Sequence, residues 1–198
     1  TEAGESYDVW VYEHLVGEWG AYDDFNSGFH FGTSGQTTND DDVLFNNFVN
    51  GCGDQLCFNS STDMANILSN VNAFETFATE FESTALSYYQ TNGTLNGFNG
   101  NKEVKQNRPD YMGSVFELFS YAVMGGYYRM EAQITKVTAN SIEVSYKIYD
   151  HFGAGISDAY KTYLNGLPAM YYLQHYHGND HQYKPFIWSV NIDRTYTE

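Results

Sequence analysis

The side chains best suited to chemistry gather in the last quarter of the chain. Asp150-His151 stands where an alternating apolar run gives way to Phe152-Gly153. A carboxylate beside an imidazole can orient it as a general base or share a metal ion with it, although neighbours in extended chain point to opposite faces. The pair equally fits an Asp that caps a turn and a His packed on aromatics, and the residues alone leave both open. Further on, His175-Tyr176-His177-Gly178-Asn179-Asp180-His181 sets His175 and His177 on one face if extended, with His181 able to fold back across Gly178. Three imidazoles could hold Zn²⁺ or Cu²⁺, and Asp150 or Asp158 could complete a hydrolytic metal centre. Histidines in a polar loop are otherwise simply solvated.

Lys184, ahead of Pro185, is one of nine basic residues in an acidic chain. It should therefore have a carboxylate partner in a salt bridge or hold an anionic substrate group. Gln174 reads as a binding residue or as one that satisfies buried backbone. Asp23-Asp24 and Asp40-Asp41-Asp42 are loop carboxylates that could take Ca²⁺, but neither run has calcium-loop spacing. Cys52 and Cys57 can close a short disulfide or stand as two reduced thiols; no second cysteine pair exists to complete a zinc site. Asn59-Ser60-Ser61 and Asn92-Gly93-Thr94 are glycosylation-type triplets. Nucleotide-binding glycine loops, nucleophile elbows and H-E-x-x-H helices do not occur.

The expected scaffold is α+β, a single domain over 1–198 whose helical part, about 1–110, packs on an antiparallel sheet formed by about 111–198. Val9, Tyr12, Leu15, Val16 and Trp19 make an amphipathic helix of Ser6 to Trp19 with Ser6 as cap. Gly20 to Asp42, rich in Gly, Ser, Thr, Asn and Asp and anchored by Phe25, Phe29 and Phe31, reads as a long loop. A short apolar pattern follows from Val43 to Val49. Thr62 or Asp63 caps a helix, and helical spacing runs on to about Gln90. Thr91 to Asp110 is loop. Val115–Val123, Tyr127–Val137 and Ile142–Tyr149 are β runs parted by Gly125-Gly126 and Ala139-Asn140-Ser141. Short helices capped by Ser157 and begun by Pro168 precede a last strand, Phe186 to Ile192.

A formal charge of −16 repels phosphate backbones and anionic lipid, so nucleic-acid partners are disfavoured. The 18 Tyr and 14 Phe make disorder improbable and place aromatics on the surface as well as in the core. No run reaches the length of a transmembrane segment. A chain opening at Thr1 without methionine fits either an exported, processed precursor or a trimmed one. With the cysteine pair, the expectation is a secreted, extracellular protein.

In order, Tyr149-Asp150-His151-Phe152-Gly153, Tyr172-Leu173-Gln174-His175-Tyr176 and Tyr183-Lys184-Pro185-Phe186 resemble a bacterial domain family of unknown function. Its members carry a DHFGLD motif, a W-F-x-L-Q-[HR]-Y helix and a terminal Y-K-P-F strand. Ala154-Gly155 stands where that family has Leu-Asp, and Tyr171-Tyr172 where it has Trp-Phe. The resemblance implies a secreted, toxin- or effector-like module linked to bacterial competition. Asp150, His151 and Asp158 would be catalytic in hydrolysis of an envelope component, the role of the missing family carboxylate being either moved to Asp158 or lost. The alternative expectation is an extracellular binding or self-assembling subunit without catalysis, whose Tyr, Asn and Gly contact a carbohydrate or further copies of the chain.

Overall fold

The computed structural model describes residues 7–32, 39–51, 53–70, 72–98, 129–160, 166–178 and 182–198. The expected Ser6 cap, the rest of the expected loop beyond residue 98, the expected strand Val115–Val123 with Gly125-Gly126, Cys52 and His181 lie outside them. In chain order the elements are α1 (Tyr7–Val11), a π turn (Tyr12–Val16), α2 (Gly17–Gly32), α3 (Asn39–Asn50), β1 (Leu56–Phe58), α4 (Asp63–Ser69) and α5 (Asn72–Asn92). Then follow β2 (Arg129–Val137), β3 (Ser141–Phe152), a 3₁₀ turn (Asp158–Tyr160), α6 (Gly166–Tyr176) and β4 (Phe186–Thr197). The class is α+β, as expected. Among the described residues no helix is long and apolar enough to cross a membrane.

The chain divides into two compact units, each discontinuous in sequence: Thr1–Gln55 with His151–Ile187, and Leu56–Asp150 with Trp188–Glu198. The second unit carries most of a four-stranded sheet of order β1-β4-β3-β2. Alternation in β3 works as read: Ile142, Val144, Tyr146 and Ile148 are all buried while their neighbours are not. The β2–β3 hairpin turns through 138–140, with Val137 opposite Ile142 and a register shift between Ile134 and Lys136. The Glu198 N–H donates to the Asn140 carbonyl (3.2 Å), so the end of β4 meets the start of β3 and the two run antiparallel. The sheet is mixed, however, because β1 joins parallel to β4, Cys57 opposite Ser189. Three residues are too few to show a periodicity, and in the sequence this stretch is marked only by Cys57.

On this sheet lies α5, whose Phe74, Phe77 and Phe81 rings all meet Tyr146 edge-on at 5.3–6.4 Å. Ahead of it, Thr62 caps α4, its Oγ1 accepting from the Ala65 N–H (3.3 Å). A buried ion pair sits in the same layer. Glu82 is fully buried, and Arg194 Nε and Tyr146 Oη each donate to its Oε1 at 3.0 Å. The Arg194 guanidinium also rests over Phe74 (5.7 Å). Burial, then the Glu82 charge and hydrogen bond, hold the Tyr146 phenol far above its ordinary range.

The first unit overturns two expectations. Gly20 to Asp42 is largely helical, not loop: α2 continues to Gly32 and α3 begins at Asn39. Weak helix formers are outweighed by packing, for Ala21 and Phe25, one turn apart, are buried, and Phe25 stacks on Phe45 (5.1 Å) and meets Phe48 edge-on. The side chains of Phe29 and Phe31 lie outside what is described. Secondly, the apolar stripe expected from Val9 to Trp19 is broken. Val9 and Tyr12 are buried, but Leu15, Val16 and Trp19 are exposed. The π turn slips the helical phase, and Gly17, at φ 67° and ψ −167°, holds a conformation essentially confined to glycine while its N–H donates back to the Tyr12 carbonyl.

Candidate functional site

Within the first unit, the three segments of the C-terminal motif meet at Gly153. A Cβ there would fall 2.8 Å from His151 Cε1, 2.8 Å from Pro185 Cβ and 3.0 Å from Gln174 Oε1, so only glycine lets the segments approach. Phe152 points into the core, stacked on Phe186 (5.3 Å) and edge-on to Phe48 (5.8 Å). Gln174 is aimed here by α6, whose first turn takes Pro168 at a position with no helical use for its missing N–H. Its Oε1 accepts from the Ala154 N–H (2.9 Å) and its Nε2 donates to the Ala154 carbonyl (3.2 Å). The side chain thus behaves as a short piece of β ladder and fixes the turn after β3.

Of the expected catalytic residues, Asp150 is half-buried near the end of β3 and His151 is exposed beside it. Asp158 opens the 3₁₀ turn, and its side chain is not among those described. Lys184 finds no carboxylate partner among the described residues. Its N–H donates to the Phe48 carbonyl (3.2 Å) and its Nζ reaches the Gly178 carbonyl (3.5 Å).

The two described histidines of the triple diverge. His175 is exposed with its ring on Tyr171 (4.2 Å), while His177 turns the other way, Nε2 lying 2.8 Å from Tyr172 Oη and Nδ1 3.5 Å from Glu18 Oε2. They end a helix instead of lying on an extended chain, which separates them. Among the described residues no group of three or more His, Cys, Asp or Glu side chains is placed to hold a metal ion. Asp23-Asp24 and Asp42 lie on α2 and α3, not on a loop, and Asp24 accepts from Tyr12 Oη (3.0 Å).

Glu18 was invisible to sequence reasoning, since an acidic residue amid many carries no pattern. It links a histidine and a tyrosine: its Oε2 faces His177, and its Oε1 accepts from Tyr183 Oη (3.0 Å). Tyr183 holds the left-handed backbone region at φ 49°, retained by this bond and by packing on Phe48 (6.1 Å). Burial first, and Glu18 after it, raise the Tyr183 phenol well above its ordinary value; burial first, then Glu13 and Glu18, raise Tyr172. Both phenols therefore stay protonated at neutral pH. The chain Tyr172–His177–Glu18–Tyr183 has the order of a hydroxyl–imidazole–carboxylate relay, but both hydroxyls belong to buried residues. Its direct effect is to tie the start of α2 to the end of α6 and to the turn at Tyr183.

The remaining candidates are peripheral. Cys57 is exposed on β1, Asn191 Nδ2 lying 3.9 Å from its sulfur; Cys52, its expected partner, is outside the described residues. Asn59 and Asn92 are exposed. Asn59 Oδ1 accepts from the Ser61 N–H (2.9 Å), and Asn92 Nδ2 donates to the Tyr88 carbonyl (2.8 Å).

What stands open to a partner is apolar. Among the described residues the exposed large apolar side chains, from Leu15, Val16 and Trp19 to Ile156 and Ile187, all belong to the first unit. Leu15, Val16 and Trp19 are 67, 47 and 81% exposed and form a ridge over the π turn and the first turn of α2. Comparison with known protein families, curated proteins and solved structures finds no match to this chain.

Proposed function

We propose that this chain is an extracellular binding module, whose first unit recognises another macromolecule through the Leu15-Val16-Trp19 ridge. The exposure of that ridge carries the reading. Folding alone gains nothing by presenting Trp19 and Leu15 to water, and covering each is worth about 1.5–3 kcal/mol. The residues of the C-terminal motif support it from the other side. Gln174 is occupied in bonding the Ala154 backbone beside Gly153 and Pro185, and the Tyr172–His177–Glu18–Tyr183 chain ends in a buried tyrosine on each side. These are groups that stiffen a scaffold.

A second reading, hydrolysis of a bacterial envelope component through Asp150, His151 and Asp158, draws on the exposure of His151 at the end of β3 and on the motif resemblance. Growth of a bacterium carrying the chain in its periplasm separates the two, at matched protein levels. The binding reading expects normal growth, or a defect that is lost with Leu15→Ser/Trp19→Ser and kept with Asp150→Ala. Lysis abolished by Asp150→Ala and untouched by the ridge variant would overturn it.

A further inference from the structure

The ridge has a charge setting as well as an apolar crest. Glu13, Asp23 and Asp24 beside it are exposed and Glu18 is half-buried. Positive charge is scarce: the first Lys or Arg of the chain is Lys102, and the first unit contains only Lys161 and Lys184. Of the imidazoles near the ridge, His177 is engaged with Glu18 (3.5 Å), and His14 is folded back on Trp10, its Nδ1 3.0 Å from the Trp10 carbonyl and the rings stacked at 4.8 Å. A crest of aliphatic and indole side chains rimmed by carboxylates complements a helix that carries apolar residues on one face and Lys or Arg along its edges. A second copy of this chain would set −16 against −16, and anionic lipid would meet the same repulsion.

Resting on the binding reading above, we propose that the ridge docks a cationic amphipathic helix of another protein. Its apolar face covers Leu15, Val16 and Trp19, and its basic residues meet Glu13 and Asp23. The π turn gives the docking surface its form. Without the slipped phase and the turn at Gly17, these three side chains would continue the buried stripe of Val9 and Tyr12.

Fluorescence anisotropy of a labelled Leu/Lys amphipathic peptide against the whole chain tests this. Saturable binding is expected that weakens as salt rises. Leu15→Ser/Trp19→Ser should weaken it by at least about ten-fold and Glu13→Gln/Asp23→Asn by several-fold, while a Leu/Glu version of the peptide should not bind. All four positions are exposed, so circular dichroism should show each variant folded. Binding that is equal for the chain and the ridge variant would overturn the inference, since any acidic surface would then suffice. Failure to bind, together with concentration-dependent self-association lost in the ridge variant, would replace the basic partner by a second copy and leave the binding reading standing. Capture on phosphatidylcholine vesicles, lost in the same variant, would replace it by a membrane. Failure in all three assays would overturn both the inference and the reading beneath it.

Discussion

Replacing Arg194 with Met should destabilise the protein severely, and the structure says why the loss is asymmetric. The Glu82 side chain is 1% exposed and that of Arg194 24%. Removing the cation therefore strands a carboxylate away from water with, among the described residues, only the Tyr146 hydroxyl to bond it, whereas removing the anion leaves a guanidinium that still reaches solvent. Met keeps most of the apolar stem and gives up the guanidinium's contact with the Phe74 ring, a loss small beside that of the buried charge's partner. Breaking a buried pair in this direction costs about 3–5 kcal/mol, and the partial exposure of Arg194 puts the expected value near the lower end, about 3 kcal/mol. Glu82→Gln preserves shape and acceptor and should cost about 1–2 kcal/mol. Glu82→Leu/Arg194→Met removes both charges and should recover at least half of the Arg194→Met loss. Urea denaturation followed by circular dichroism gives all three values. An Arg194→Met cost below about 1 kcal/mol, or a double variant no more stable than Arg194→Met alone, would refute the reasoning.

Other outcomes follow from the first unit and from the buried phenols. Gly153→Ala should lower the urea midpoint by the equivalent of about 1–3 kcal/mol without altering the slope, because Pro185 and the bonded Gln174 cannot both move aside; an unchanged midpoint would remove the crowding argument. Tyr146 and Tyr183 are raised above the ordinary phenol value near 10, so above that pH the native state binds more protons than the unfolded chain. Stability should then fall with rising pH, by up to about 1.4 kcal/mol per unit for each group, and be unaffected by these groups below pH 10. Alkaline titration of tyrosinate absorbance should show both groups ionising only as the fold is lost; a smooth titration of every tyrosine in the folded protein would contradict it.

Where burial and periodicity agree, the fold was legible. The alternation of Ile142 to Ile148, the Thr62 cap and the helical spacing from Phe74 to Gln90 each express one local rule that the tertiary structure leaves intact, although the helix expected to run on from the cap is divided between Ser69 and Asn72. It was not legible where packing overrides propensity, as in α2 and α3, or where three residues form a strand by pairing with a segment far along the chain. The phase slip at the π turn has no signature beyond Gly17, which weakens a helix end as readily as it re-aims one. The motif residues were identifiable as a group, but not what they do. Gln174 bonds the Ala154 backbone and Pro185 closes on Gly153, a fact that lies in distances rather than in residue types. Glu18 and the Glu82–Arg194 pair, the latter 112 residues apart, have no local pattern to reveal them.

The central claim is that the ridge of the first unit is the recognition surface, and the tryptophans report on it directly. Trp19 crowns the ridge, whereas Trp188 is fully buried on β4 in the second unit. In an NMR titration with the Leu/Lys peptide, the indole N–H resonance of Trp19, assigned through Trp19→Phe, should shift progressively to saturation while that of Trp188 stays in place. A peptide that binds and leaves the Trp19 resonance unmoved would show that recognition takes place elsewhere.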